Sequence, residues 1–513
     1  MRITALGHAG LKVETPGATI LIDPWFSPEG AFQGSWFPFP DNSHLLEDPE
    51  LTTPTAVVIS HEHLDHVDPW FLARVPRNVP VIVPRYPSGA LRTKVLAGGD
   101  RTIVEAAPWT SVGVGEGTRV FFVSESSPMN HDSAIVVQGD EHVLLNQNDA
   151  RLSSIQLREI RRRVGGRVDA FAFQGAGASW YPMCYGYSAE DERRLADRKR
   201  TAKLRFATSC LDLVEPGIAL PFAGPPAFLD PEIYRHNGQQ EGGIFPDQSA
   251  VARWLSERGY ATEVLLPGDR WDVGAHGREA DPAWSEFGFD DRWPYLEAYA
   301  ARRAERIAAV RARYPEPTDS LWDPFRDTFD ALLGMSPYFN ERIGMQVGFD
   351  VAGPGGGRWR VDFAAKHVEP EPVDVPPLVE YRMESRWLAP ILDGRVPWED
   401  FFLSMRFSVR REPDLYNDHL LGLLKFAEPE SLSAVEAYER DLDLDERITL
   451  DVDGAPLSVS RYCPHAGNDL LETGEILPGG ILRCLAHHYE FDLRSGRCLN
   501  GTVAPLDVRP VDR

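Results

Sequence analysis

The stretch TAVVISHEHLDHVDPW, residues 55–70, constrains this chain more than any other part of it. It places four side chains able to bind a metal, His61, His63, Asp65 and His66, within six positions, directly after an apolar run that reads as a strand. In extended backbone alternate residues share a side, so His61 and His63 can reach one cation, while Asp65 and His66 follow one turn on and can hold a second. The spacing predicts a dinuclear centre at a sheet edge with these four residues as its catalytic core. A lone histidine is more often a packed one, but four ligand-type groups in one loop outweigh that reading.

A second constellation lies near the C-terminus. RYCPHAGNDLL and LRCLAHHYEFDLRSGRCLNG give C-x-H, an 18-residue gap and C-x-x-H. The thiolates of Cys463 and Cys484 and the imidazoles of His465 and His487 suit a [2Fe–2S] cluster, with sulfur on one iron and nitrogen on the other. The same four donors would also hold zinc. His488 reads as a neighbour of the ligands and Cys498 as a packed residue of the hairpin that follows. Five cysteines in 513 residues are too few for a disulfide framework, which leaves reduced thiols or metal ligands.

Length suggests two to four domains. Short apolar runs such as ATILIDPWFS, PVIVP, RVFFVSE, SAIVVQ and HVLLNQ alternate with helical stretches, which is the pattern of a layered α/β fold. A helical run rich in Ala, Arg and Glu between about residues 282 and 314 marks a boundary, and helix disappears again after about 441. The organisation expected is therefore 1–280, a metal-binding catalytic domain; 281–440, a helical linker and a middle α/β domain; and 441–513, a small all-β domain. With 53 basic and 77 acidic side chains the net charge is −24, which excludes a general affinity for nucleic acid or an anionic membrane. An anionic ligand would need a local basic pocket, and the run RLSSIQLREIRRRVGGR is a candidate face for one, although such a run is more often a solvated helix face. No apolar run approaches the roughly 20 residues that span a bilayer, and the start MRITALGHAG has no leader-like pattern, so a cytoplasmic protein is expected. No G-x-G-x-x-G stands between a strand and a helix, so reducing equivalents must come from a separate protein.

The H-x-H-x-D-H signature, with the opening LGHAGLKVET and ILIDPWFS, resembles the metallo-β-lactamase superfamily, in the branch of ascorbate-phosphate lactonases and N-acyl-phosphatidylethanolamine phospholipase D. The resemblance covers roughly residues 1–270 and implies an αββα sandwich. It also implies further metal ligands: His131 in SPMNHDSAIVV as the third ligand of the first metal, Asp149 in HVLLNQNDA as a bridging carboxylate, and His236 in YRHNGQQEGG as the last histidine. On the same basis Asp23 is expected to hydrogen-bond the ligand loop, and His8 to stand behind the ligands or simply to pack. The C-terminal loops, with Pro464, Gly467 and the run YEFDLRSGRCLNG, resemble a Rieske domain of the ferredoxin or oxygenase type, lacking the extra cysteine pair of respiratory-chain versions. The middle segment, with WRVDF and MESRWLAPILDGRVPWEDFFLSMRF, distantly resembles the sterol-carrier-protein fold.

An electron carrier needs a redox-active acceptor, so the two constellations together point to iron in the N-terminal site, one or two non-haem ions, with zinc or manganese as alternatives. The combination, with PFAG at Pro221–Gly224 and GASWYPMCY at Gly177–Tyr185, resembles the cytidine-monophosphate-N-acetylneuraminate hydroxylase family, although there the Rieske domain comes first. The resemblance implies a monooxygenase that hydroxylates or N-oxygenates a small polar metabolite with O2, fed by an external ferredoxin or flavoprotein reductase. Tunnelling beyond on the order of 15 Å is too slow for ordinary turnover, so a homo-oligomer is expected if the two centres of one chain stand further apart. The alternative is a metal-dependent hydrolase of lactonase or phosphodiesterase type, with the cluster as a redox sensor.

Overall fold

The computed structural model describes residues 1–511 apart from 140, 176–178, 241, 371–376, 443–444 and 453, so Gly177 and Ala178 of the GASWYPMCY segment lie outside the described residues. The chain divides into two compact units. The first comprises Met1–Glu125, Asn130–Ser179 and Arg193–Arg311; the second comprises Ser126–Met129, Trp180–Glu192 and Ala312–Arg513.

The first unit is built on two sheets. One carries β1 (Arg2–Gly7), β2 (Gly10–Thr15), β3 (Ala18–Ile22), β4 (Ala56–Val58), β5 (Val81–Pro84) and β6 (Ile103–Ala106). The other carries β7 (Val112–Gly113), β8 (Arg119–Ser124), β9 (Ser133–Gln138), β10 (Val143–Asn146), β11 (Ala170–Gln174) and β12 (Ile218–Phe222). A late hairpin, β13 (Arg270–Asp272) and β14 (Gly277–Glu279), adds to the outer edge of β1. The first sheet therefore runs β14-β13-β1-β2-β3-β4-β5-β6 and the second β12-β11-β10-β9-β8-β7. In each sheet a parallel run, β3 to β6 and β10 to β12, continues an antiparallel one.

Strand alternation builds the layers. In SAIVVQ, Ile135 and Val137 face the core shared by the two sheets, where they meet Ile20, Ile22 and Val58 of the first sheet. The intervening Ala134 and Val136 face outward, under α3 (Ser154–Arg163), α4 (Ala189–Val214) and α5 (Gln248–Ser256). On the far side Leu21 and Val57 turn outward beneath α1 (Pro69–Leu72) and α2 (Ala90–Ala97). This is the αββα sandwich expected. α3 starts where Ser153 and Gln156 close a capping box. α6 (Arg292–Ala312) lays Leu296, Tyr299 and Ile307 against Phe37, Phe39 and Leu229.

In the second unit, α7 (Trp322–Met335) and α8 (Pro337–Ile343) precede a five-stranded sheet. Its strands are β15 (Gln346–Ala352), β16 (Gly357–Asp362), β17 (His367–Pro370), β18 (Val379–Glu384) and β19 (Phe407–Arg411), in the order β17-β16-β15-β18-β19. Aromatic contacts fill one face: Phe325 on Phe349, Phe349 on Tyr381, and Trp398 on Phe349. Helices α9 (Ser385–Leu392), α10 (Trp398–Leu403), α11 (Asp418–Phe426) and α12 (Pro429–Arg440) complete this α/β part. Two small antiparallel sheets follow: β20 (Arg447–Val452), β21 (Ala455–Ser460) and β25 (Val508–Pro510); and β22 (Gly474–Leu477), β23 (Ile481–Cys484) and β24 (Glu490–Asp492). The short α13 (Leu470–Thr473) stands between them in sequence. Among the described residues no helix is long and apolar enough to cross a membrane.

Candidate metal centres

The loop after β4 carries His61 to His66 at the C-terminal edge of the parallel strands, and Asp23, just past β3, organises it. Asp23 takes a left-handed backbone (φ 43°). Its Oδ1 accepts from Ser60 N at 2.8 Å and its Oδ2 from Ser60 Oγ at 2.6 Å. His66 Nδ1 lies 2.9 Å from the same Oδ2, which leaves Nε2 of His66 to face the loop interior. Asp68 caps α1 through Trp70 N and Phe71 N and also accepts from Phe26 N, tying the loop's far end to the chain after β3.

Within this frame the ligand-type atoms converge. His61 Nε2 is 2.8 Å from His63 Nδ1, and the His61 and His66 rings are 4.0 Å apart. Three groups have donor atoms mutually within 4.8 Å: His61 with His63 and Asp132; His61 with His66 and Asp149; and His8 with Asp65 and His66. His66 Nε2 is 3.6 Å from Asp149 Oδ1 and 3.8 Å from Asp65 Oδ2. His8 Nε2 bonds Asp65 Oδ2 at 2.8 Å.

Crowded carboxylates set the protonation. Burial opposes charge on His66, yet Asp65, Asp149 and Asp23 outweigh it and hold the imidazole up at about 10. Burial likewise opposes ionisation of Asp65, but His66, His8 and His63 keep it well below the usual carboxylate range. His66 Nε2, Asp65 Oδ1 and Asp149 Oδ1 are buried with no hydrogen-bond partner among the described residues. Such atoms are costly unless something fills the space between them. Cations fit: four imidazoles and three carboxylates form three overlapping groups with a strong affinity for positive charge.

His131 and His236 stand differently from the other expected ligands. His131 is buried, with Nδ1 3.3 Å from Glu62 Oε1 and its ring stacked 4.7 Å from Tyr86, and it belongs to none of the three groups. The side chain that joins His61 and His63 is its neighbour Asp132, which the sequence reading passed over. His236 is buried against Phe228, outside the three groups, where burial and Arg235 bring it down to about 3 and so keep it neutral.

The second centre is built by two loops of one design. Cys463 N bonds Asn468 O and Gly467 N bonds Cys463 O; Cys484 N bonds Tyr489 O and His488 N bonds Cys484 O. Each loop closes on a left-handed residue, Gly467 at φ 69° and His488 at φ 65°. His488 thus holds the position that glycine takes in the first loop, and its conformation shapes the turn. Cys463 and Cys484 are fully buried side by side, and the neighbouring thiol together with the amides of Ala486 and His487 lowers the Cys484 pKa. The rings of His465 and His487 are 4.5 Å apart. His465 Nε2 is 2.6 Å from Asp418 Oδ2, and its buried Nδ1 has no hydrogen-bond partner among the described residues. Paired thiols receiving amide hydrogens, beside two imidazoles, fit a [2Fe–2S] cluster. Cys498 points elsewhere, its Sγ 3.6 Å from Asn500 Oδ1.

Residues 2–164 match the Beta-lactamase superfamily domain model and residues 425–508 the Rieske [2Fe-2S] domain model. Over 518 residues, 97% of this chain and 98% of the relative, the chain is 29% identical to a protein of Mycolicibacterium smegmatis named as a Rieske 2Fe-2S iron-sulfur protein. Over 67 residues, 13% of this chain and 24% of the relative, it is 36% identical to a UPF0173 metal-dependent hydrolase of Methanopyrus kandleri. Among solved structures, the diiron beta-hydroxylase CmlA from Streptomyces venezuelae superposes with a TM-score of 0.34 and 18% identity, covering 52% of this chain and 53% of that one. The chain joins a metallo-β-lactamase-fold domain to a Rieske [2Fe–2S] domain.

Proposed function

We propose that this protein is a Rieske-linked non-haem iron oxygenase that hydroxylates or N-oxygenates a small polar metabolite, with electrons from a separate ferredoxin or flavoprotein reductase. The observation that carries the reading is the donor set of the first unit. Three carboxylates, Asp65, Asp132 and Asp149, accompany His61, His63 and His66, and so oxygen-rich a set suits iron. An electron carrier in the same chain gives that iron a source of electrons. His61, His63 and Asp132 would hold one ion, Asp65 and His66 the other, and Asp149, near both His61 and His66, would bridge them. Iron bound there would supply the capacity to reduce O2. The protein's own part is to fix the ligands: Asp23 holds the His66 ring by Nδ1, and His8 holds Asp65. In the Rieske domain, Cys463, His465, Cys484 and His487 would carry one electron at a time. The reaction class follows the resemblance to the cytidine-monophosphate-N-acetylneuraminate hydroxylase family.

A second reading, a hydrolase of lactonase or phosphodiesterase type with a redox-sensing cluster, draws on the similarity to the UPF0173 hydrolase. Metal and sulfide analysis of anaerobically purified protein separates the two. The oxygenase reading expects about three to four irons and about two acid-labile sulfides per chain. Zinc in the first unit, with ester or phosphodiester hydrolysis that persists without O2 and without reductant, would overturn it.

A further inference from the structure

The turn between β1 and β2 meets the turn after β12. Ala223 N donates to His8 O at 3.0 Å, and both residues hold left-handed backbone, His8 at φ 49° and Ala223 at φ 54°. That region is unfavourable for residues other than glycine, and two such residues bonded to each other point to a place where exact position matters. The turns are LGHAG and PFAG, and PFAG has no part in the ligand groups described above. Between them lies a cavity walled by Leu11, Phe39, Leu220, Phe222 and Leu266, in which the centre of a water molecule has about 20 Å³ to occupy.

Two polar side chains also line this cavity: His8, and Gln248 at the start of α5. Both are more than nine-tenths buried, and neither His8 Nδ1 nor Gln248 Oε1 has a hydrogen-bond partner among the described residues. The other ring nitrogen of His8, Nε2, lies 2.8 Å from Asp65 Oδ2. A carboxylate only accepts, so Nε2 carries the hydrogen and Nδ1 of the neutral ring is a bare acceptor. Two unmet acceptors between apolar walls cost free energy. A molecule with two hydrogens to donate satisfies both; water is such a molecule, and the space admits it. Were the Gln248 amide turned over, it would donate to the same water, and the connection would stand.

We propose that a water bound in this cavity joins Gln248 to His8, and that Gln248 acts through it as a positioning residue for Asp65. Held at both nitrogens, the His8 ring offers Nε2–H to Asp65 in one orientation, and outer partners of this kind set the aim and affinity of metal ligands. Asp65 is the carboxylate assigned above to the ion that it shares with His66. The inference rests on the loop binding metal, but not on the oxygenase chemistry.

The first test is a crystal structure of the full chain at a resolution that shows ordered water. One water is expected within hydrogen-bond distance of both His8 Nδ1 and Gln248 Oε1. The second is calorimetric titration with Mn2+ of the cluster-bearing chain after a chelator has stripped the first unit. Gln248→Met keeps the length of the side chain and gives up its amide; it should weaken the ion on Asp65 and His66 about tenfold and leave the ion on His61, His63 and Asp132 as in the parent. Ala172→Val narrows the cavity from β11 without touching either polar partner and should have the same selective effect, which decides the matter if Gln248→Met does not fold. Three results overturn the proposal: no water bridges the two side chains; both ions bind the variants as they bind the parent; or both ions weaken alike, as for residues that merely support the fold. A parent chain that takes up no Mn2+, Fe2+ or Zn2+ would overturn the metal reading itself and the positioning of Asp65 with it, while the crystal structure still decides the water.

Discussion

His465 Nε2 stands 2.6 Å from Asp418 Oδ2, a carboxylate of the first turn of α11 that also accepts from Tyr489 OH. Burial opposes ionisation of Asp418, but His465 and Tyr489 hold its carboxyl down at about 2, so it is charged at every working pH. A fixed negative charge against a ligand ring favours the oxidised cluster. Asp418→Asn should therefore raise the reduction potential by about 60 mV, the one-electron equivalent of a charged hydrogen bond exchanged for a neutral one. Spectroelectrochemical titration reads the shift, and a potential unchanged within experimental scatter would remove Asp418 from any tuning role.

Adjacent residues Asp132 and His131 make opposite predictions. Asp132→Ala should lower metal content in the first unit and abolish turnover, as should His63→Ala, while the Rieske spectrum persists in both. His131→Ala should retain most of the metal, because its ring pairs with Glu62 and stacks on Tyr86 instead of joining the ligand groups. Elemental analysis beside the visible spectrum decides the matter, and a metal-free His131→Ala would restore His131 to the ligand set.

Cys484→Ser should bleach the cluster and leave the metal of the first unit in place, because the two donor sets share no residue. Simultaneous loss of both would show that one centre needs the other to fold.

Asp23→Ala strands the buried Ser60 amide and removes the bonds that Asp23 makes to the Ser60 hydroxyl and to Nδ1 of His66; the hydroxyl keeps His61 Nδ1 at 2.9 Å, and the hydroxyl and His66 Nδ1 keep each other at 3.4 Å. At about 1 kcal/mol for each of these bonds, a loss of about 2–3 kcal/mol of unfolding free energy is expected in urea titrations of chelator-treated protein. A variant as stable as the parent would mean that the loop finds other partners.

Lys199 and Lys203 of α4 give stability a pH dependence of definite sign. Burial, helped by Arg151 and opposed by Asp149 and Asp132, brings Lys203 from 10.5 down to about 7. Between those values the unfolded chain binds more protons than the folded one, so stability should rise with pH across that window. Lys199, disfavoured in charge by burial, Lys203 and Arg151, reinforces the trend. Melting curves on both sides of pH 7 test the slope, and a melting temperature that does not rise across that window would exclude Lys203 as its origin.

The ligand loop was legible because its chemistry is compressed into six consecutive positions at the end of an apolar strand. The αββα layers were legible from alternation in runs such as SAIVVQ. Asp132 carried no signal in the sequence: it follows His131 just before β9, where Ser124 pairs with Ser133, and only the folded backbone shows that Asp132 closes on His61 and His63 while His131 meets Glu62 of the same loop. Asp418 was hidden by its distance in sequence from the cluster loops, since only the packing of α11 brings its first turn to His465. The basic run behaves as a solvated helix face: Arg161, Arg162 and Arg163 are answered by Glu215 and Glu159.

Tyr416 N bonds Asn500 O and Thr502 N bonds Tyr416 O, Tyr438 OH donates to Ala466 O, and Asp418 meets His465. The residues that grip the cluster loops thus begin upstream of the matched stretch 425–508. A cluster cassette grafted in at that border would arrive without its counter-charge. A transplant that keeps the counter-charge has to carry α11 along with the cluster loops.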